Sequence, residues 1–296
     1  MPTTPDVVSR GSLFDPKLVT DLIDRVKGKS SLAKLCRQTP IPFNGMKEFI
    51  FTMDDEVDLV AENGAKSRGS LALTPVTIVP LKVEYGARLS DEFMYASQEE
   101  QIEILKAFNE GFAKKVARGL DIMALHGVNP RSKSSSALIG TNHFDTGVTV
   151  ITAGSTADAQ VENAIAAVQG NDYDVTGMAM APAFRSALAA ITLQSGERMF
   201  PDLAWGNAPG SIRGLPVDVN NTVAFNSSDD LALIGDFETA FKWGYSKQIA
   251  TEIIKYGDPD NSGNDLKGHN QIYIRAEMYL GWGILDKNAC ALIQNP

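Results

Sequence analysis

Apolar positions recur at three- and four-residue steps between about Ser90 and His126, where Ile102, Leu105, Phe108, Phe112, Val116, Leu120 and Met123 form one stripe. The spacing predicts a helix reaching about 45–50 Å at 1.5 Å per residue, unless Gly111 or Gly119 bends it. Just before it the period shortens to two. Leu71 to Leu89 alternates well enough for a strand, with Val76, Ile78 and Leu81 among its apolar positions, and Asp54 to Val60 (DDEVDLV) reads as the end of an outgoing partner. Together they predict a two-stranded ribbon over about 46–89, turning at a charged, glycine-rich tip, NGAKSRG. Pro75 and Pro80 fall inside the return strand and cannot donate to a ladder, which places it at an edge or on an exposed ribbon. An isolated two-stranded ribbon is marginal in water. It needs something to lie on, and a neighbouring copy of the chain is one candidate.

The remaining pattern is less periodic. Residues 1–14 are polar with Pro and Gly and read as an extended arm; Asp15 and Pro16 then open a short helix with Leu18, Val19, Leu22, Ile23 and Val26 on one face, ended by Gly28. Residues 31–45 are a connector containing the turn signal TPIPFNG. Residues 127–157 read as loop with one short strand, 157–170 as a helix, 175–181 as a strand, and Pro182 starts another helix. A long loop at 195–210 precedes two buried strands, GLPVDVNN and LALIGDF. Residues 241–256 make a further strand or hairpin, QIYIRAEMYLGWGI a final strand, and KNACALI a short end. The reading is a mixed α+β chain with an external arm.

Composition narrows the function classes. At 296 residues and 44% apolar, the chain can bury a full core as one large domain or two ordinary ones. No apolar run approaches the roughly 18–20 residues of a membrane helix, and MPTTPDVVSRGSLFDP lacks the basic-then-apolar order of a secretory signal. Cys36 and Cys290 lie in apolar surroundings and read as free buried thiols, in keeping with cytosolic synthesis. A net charge of −9 argues against tight nucleic-acid binding but not against merely enclosing nucleic acid. The nucleophile elbow, phosphate loop and dinucleotide fingerprint are absent from the sequence. His126, His143 and His269 are widely separated, and none has a second His or Cys at metal-ligand spacing. DPDNSGNDLKGH places Asp258, Asp260, Ser262 and Gly263 as in a calcium loop, but its last position is His269 instead of Glu, and a solvated turn is the better account. The expectation is no catalytic residue, no metal and no cofactor, which shifts the reading toward a structural role.

Several weak motifs then occur in a telling order. VAENGAKS followed by PLKVEYGARLSDEFM resembles the extended-loop return and entry to the spine helix of tailed-bacteriophage major capsid proteins of the Hong Kong 97 type. LDIMALHG resembles the end of that helix, and APAFRSALAAITLQSGERMF its strand–helix element. GLPVDVNN, LALIGDFETAFKWGY and YIRAEMYLGWGILDKNACALI resemble the later strands and the closing end. The resemblance covers nearly the whole chain. It implies an N-terminal arm and short helix at 1–30 and an extended loop at 46–89 that lies over an adjacent subunit. A peripheral domain with the spine helix would comprise 31–45, 90–144 and 266–296, and an axial domain 145–265. The implied function is self-assembly into pentamers and hexamers of an icosahedral head shell that encloses a double-stranded DNA genome without sequence-specific binding. Portal and scaffolding proteins are the implied partners. Assembly is expected in the host bacterial cytoplasm, without a membrane, and the product is a virion capsid. The extended-loop tip, with Glu62, Lys66 and Arg68, is the implied inter-subunit contact.

The chain departs from the family pattern twice. Many relatives begin with a scaffolding region that is later removed, whereas here Met1 runs directly into the arm, so a separate scaffold, or none, is expected. Some relatives cross-link a loop Lys to an Asn; Lys66 and Lys82 are the ribbon lysines, but no Asn and Glu match that arrangement. An encapsulin-like compartment is the alternative within the fold, although TPDVVSRGSLFDP favours the phage arm. A soluble enzyme with an unrecognised site is the alternative outside it.

Overall fold

The computed structural model describes residues 30–52, 56–95, 98–152, 154, 156–246 and 250–295. The expected arm at 1–14 and helix at 15–28 lie outside them. The first element, α1 (Ser31–Leu35), is a single turn whose N-cap Ser30 accepts the Ala33 amide at 3.1 Å. Next, β1 (Met46–Thr52) and β2 (Ala72–Ile78) pair antiparallel, Met46 opposite Ile78 and Thr52 opposite Ala72, as a two-stranded sheet of their own.

This ladder corrects the sequence reading at both ends. The outgoing strand is MKEFIFT, and residues 56–60 of the expected DDEVDLV carry no strand. Phe49, Ile50 and Phe51 suit a pleated surface, whereas a segment with four acidic residues in seven does not. The return strand breaks at Val79–Pro80, so the ribbon ends at Ile78, not Leu89, and β3 (Leu81–Ser90) enters a different sheet. Pro80 has no N–H with which to continue a ladder. Pro75 is accommodated opposite Phe49 because β2 is an edge strand.

A 3-10 turn at Asp91–Tyr95 leads to α2 (Gln98–His126), which runs 29 residues without interruption through both glycines. Its stripe is buried at Leu105, Phe112, Val116, Leu120 and Met123, while Ile102 is exposed. From Leu120 to Leu125 every residue is buried, so this half of the helix is covered on all sides. After the loop come β4 (Thr149–Thr152), α3 (Ala157–Gln169), β5 (Gly177–Met180) and α4 (Pro182–Ala190), the last opened by a proline that needs no donor there. The 195–210 loop contains a short 3-10 segment, Pro201–Gly206. Then follow β6 (Ser211–Ile212), β7 (Leu215–Val219), β8 (Asp230–Gly235), β9 (Phe241–Tyr245), β10 (Ala250–Ile254), β11 (Gln271–Ile284) and β12 (Cys290–Gln294).

Two larger sheets result. In one, β11 pairs with β3 on one edge and with β10 and β9 on the other; β9 and β10 are therefore not a hairpin with each other. The second has the order β4-β12-β8-β5-β7-β6, so the short C-terminal end expected beside the spine helix is a central strand, parallel to β4 and antiparallel to β8. Both faces of this sheet are buried. Met178, Met180, Ile234 and Ile293 pack with α3 and α4, while Ala179, Leu233 and Leu292 join α1, α2 and β11 in the main core. This alternation is the period-two signature of strands covered on both sides. Cys36 and Cys290 are free and buried, and burial pushes the Cys36 thiol up to about 12.

Candidate assembly surface

The register of the ribbon decides which residues share a face. Phe51 lies opposite Leu73 and Phe49 opposite Pro75, so these four side chains project from one side. They are not covered: Phe49, Phe51 and Leu73 are 58–60% exposed, and Leu71 just before β2 is 64% exposed. The period-two pattern of MKEFIFT is the signal that could have found them. Reading the outgoing strand from the acidic run places it some residues too late and hides that pattern.

The foot of the ribbon is anchored. Ile78 is fully buried, and its side chain occupies space that Gly281 and Gly283 of β11 leave open; a Cβ on Gly283 would come within 2.5 Å of Ile78 Cγ1. Around this plug Lys242 pairs with Glu48 at 2.8 Å, Lys82 with Glu277 at 2.8 Å, and Phe43 meets Tyr279 edge-on at 4.9 Å. The connector before β1 follows β9 through Thr39 N–H to the Trp243 carbonyl, 2.8 Å. The ribbon thus leaves the body from a fixed base.

At the tip, Glu62 and Asn63 form a turn closed by Gly64 N–H to the Ala61 carbonyl at 2.8 Å, with Asn63 at φ 63°. Lys66 and Arg68 follow outside any helix, strand or turn. All three predicted contact residues are exposed, and no ion pair joins them among the described residues.

Behind the ribbon, the calcium-like loop has a resident cation of its own. Arg88 of β3 donates from Nε to Asp260 at 2.9 Å, and from Nη2 to Asp258 at 2.7 Å, Ser262 at 2.6 Å and the Asn264 carbonyl at 2.8 Å. The loop is therefore not merely solvated: its oxygens surround a guanidinium, and Arg88 holds the Asp260 carboxyl well below its usual range.

Two buried polar centres fix α2. Asp121 is fully buried and accepts from Ser31 N–H at 2.9 Å, Leu32 N–H at 3.2 Å, Thr222 Oγ1 at 2.9 Å, Asn220 Nδ2 at 3.2 Å and the Ser30 hydroxyl. It binds the start of α1 and the β7–β8 connection to one helix. Burial raises its carboxyl to about 6 against the opposing pull of these donors. His126, Asp145 and Asp230 also converge, although distant in sequence, with one ligand-type atom from each inside a 4.8 Å cluster. His126 Nδ1 lies 3.1 Å from both carboxylates and Nε2 2.9 Å from the Thr222 carbonyl oxygen. All three partners are acceptors, so both ring nitrogens donate. Against the opposing effect of burial, the two carboxylates and the carbonyl raise the ring to about 10 and favour the imidazolium.

Among solved structures, a chain from Mycobacterium phage Ogopogo is similar at 28% identity, covering 90% of this chain and 92% of that one, with a TM-score of 0.77. One from Gordonia phage Cozz matches at 22% identity over 90% and 87%, TM-score 0.74. "Capsid of empty GTA particle computed with C5 symmetry" matches at 14% identity over 100% and 95%, TM-score 0.65. No curated protein matches. The α+β fold is of the Hong Kong 97 type, as the motif order implied. The model of the phage capsid family matches residues 11–295, nearly the whole chain, and the chain belongs to that family.

Proposed function

We propose that this protein is the major head protein of a tailed phage, assembling as pentamers and hexamers into a closed icosahedral shell around a double-stranded DNA genome. One observation carries the reading: a ribbon fixed firmly at its foot holds Phe49, Phe51, Leu71 and Leu73 out to solvent. An uncovered apolar ribbon is an aggregation hazard in a monomer, and a neighbouring subunit beneath it removes the hazard. The sheet of β10, β11, β3 and β9 with α2 then serves as the peripheral part, and the six-stranded sheet with its 195–210 loop as the axial part. The tip residues Glu62, Lys66 and Arg68 contact the neighbour. Portal and scaffolding proteins act with the shell, which forms in the host cytoplasm; the role is structural, without catalysis.

The test is to purify the full chain and examine it by light scattering and electron microscopy. Capsomers or shells are expected, and after nuclease treatment of particles from cells the retained content should be duplex DNA. A monodisperse compact monomer at micromolar concentration defeats the reading. Particles filled with a protein cargo point to the encapsulin-like alternative.

A further inference from the structure

Charge in this chain is strongly segregated. Residues 111–140 contain five cations and one acidic residue, the buried Asp121, so the remainder of a chain with net charge −9 carries −13. The five cations are also gathered in space. Lys114 and Arg118 stand one turn apart on α2, and Lys115 stands one turn before Gly119. A Cβ on Gly119 would lie 3.7 Å from Pro130 Cγ, so the 128–135 hairpin folds back against this part of the helix. That hairpin presents Arg131 and Lys133. It is held by the Val128–Ser135 bridge, by Lys133 N–H to the Asn129 carbonyl at 2.8 Å, and by Asn129 Oδ1 accepting from Arg131 N–H at 3.0 Å. Lys133 sits at φ 57°, at the bend.

The surface is open. Lys114, Lys115, Arg131 and Lys133 are exposed, and Arg118 is half-buried, donating to Asn221 Oδ1 at 2.5 Å and lying over the Phe225 ring. The ion pairs at the ribbon foot and in the Arg88 loop use none of these groups. Arg131 and Asp260 both act on the Tyr273 phenol and so share one neighbourhood, but Asp260 is already bound to Arg88.

We infer that this surface, Lys114, Lys115 and Arg118 on the helix with Arg131 and Lys133 on the hairpin, binds the phosphate backbone of duplex nucleic acid. The inference rests on the shell reading only in requiring this face to look inward. The residue types select phosphate over an acidic protein partner. Beside the cations the hairpin reads RSKSSS and exposes Ser132, Ser134 and Ser135, the first two flanking Lys133. Lys, Arg and Ser side chains commonly hold phosphate oxygens, and such contacts carry no sequence information. The hairpin carries no aromatic ring. A local patch on an acidic chain gives weak, salt-sensitive contact, which positions a packed genome and still lets it leave.

The experiment is anisotropy of a short labelled duplex of arbitrary sequence with the full-length chain, between about 50 and 200 mM salt. Wild type is expected to bind weakly with a steep salt dependence. Lys114→Glu/Lys115→Glu/Lys133→Glu should weaken binding by about tenfold or more and flatten the log–log slope by roughly 0.9 for each phosphate no longer neutralised. The gentler Lys114→Gln/Lys115→Gln/Lys133→Gln should fall between, and Lys255→Glu/Lys267→Glu elsewhere on the chain should match wild type. Equal binding by the patch and control variants overturns the inference. So does polyglutamate binding wild type as tightly as the duplex does and failing with the triple variant, since the patch would then recognise acidic protein. Electron microscopy of the same samples reads the shell separately: shells with unchanged duplex binding sink the patch alone, whereas an unassembling wild type sinks the shell.

Discussion

Asp121 and His126 occupy neighbouring turns of α2, and both contribute less stability as the pH rises, over different ranges. The His126 ring titrates near 10 when folded and near 6.5 when unfolded. Its raised value contributes stability that is fully present below about pH 6.5 and lost as the pH rises through 10. At about 1.4 kcal/mol per unit over roughly 3.5 units, the contribution is at most about 5 kcal/mol. Urea unfolding from pH 6 to 10 should therefore show a decline that His126→Gln lacks; parallel profiles would mean the ring is not the charged partner of Asp145 and Asp230. Asp121 is likewise raised, to about 6, and acts in the same sense at lower pH: its effect is present below about pH 4 and fades as the pH rises through 6. Removing the side chain is a harsher change. Asp121→Ala strands the Ser31 and Leu32 amides and the Thr222 hydroxyl in the core, and should cost about 3 kcal/mol or more. Soluble, wild-type-like protein would show that water reaches those donors.

At the scale of elements, the ribbon behaves as a rigid outrigger because of its foot, not its ladder. Ile78 fills the hollow that Gly281 and Gly283 create in β11, and burying such a side chain stabilises by about 1.5–3 kcal/mol. Gly283→Ala should destabilise by about 1–3 kcal/mol through overpacking. The double variant Gly283→Ala/Ile78→Ala should be less destabilised than the sum of the two singles, because the new methyl then meets a vacated space. Additive effects in thermal unfolding would mean that the two sites do not touch. The glycines are visible in the sequence as YLGWGI, but nothing along the chain says that a residue over two hundred positions earlier needs the room they leave.

For the whole molecule, the consequences are read in assembly. Phe49→Ser with Phe51→Ser alters only an uncovered face, so circular dichroism should match wild type while electron microscopy shows few or no shells. Shells in normal number would mean that the apolar face is not what holds neighbours. Lys66→Glu with Arg68→Glu at the tip should act in the same direction more mildly. Each exposed pair contributes about 0–1 kcal/mol, and only its repetition through a multiply held shell makes it matter. High salt should weaken wild-type assembly in parallel if the tip pairs contribute, and salt-independent assembly by both proteins would leave the tip a solvated turn.

Local physics determined much of this protein from the sequence alone. The stripe from Leu105 to Met123 set a helix ending at His126; short apolar runs between turn signals set β5, β7, β8 and the full span of β11; Pro182 set the start of α4. Motif order along the chain pointed to the family. The structure decided what depends on partners remote in sequence. Pro80 ended one ladder and began another because β11 was available to take β3. The KNACALI end became a central strand because β4 and β8 left a place between them. Asp258 and Asp260 closed on Arg88 while remaining exposed, and Asp145 and Asp230 turned an isolated histidine into a held charge. Short-range patterns specify elements because dihedral preferences and burial periodicity are local. Which side chains meet is settled only when the sheets stack, since packing and charge pairing act through space.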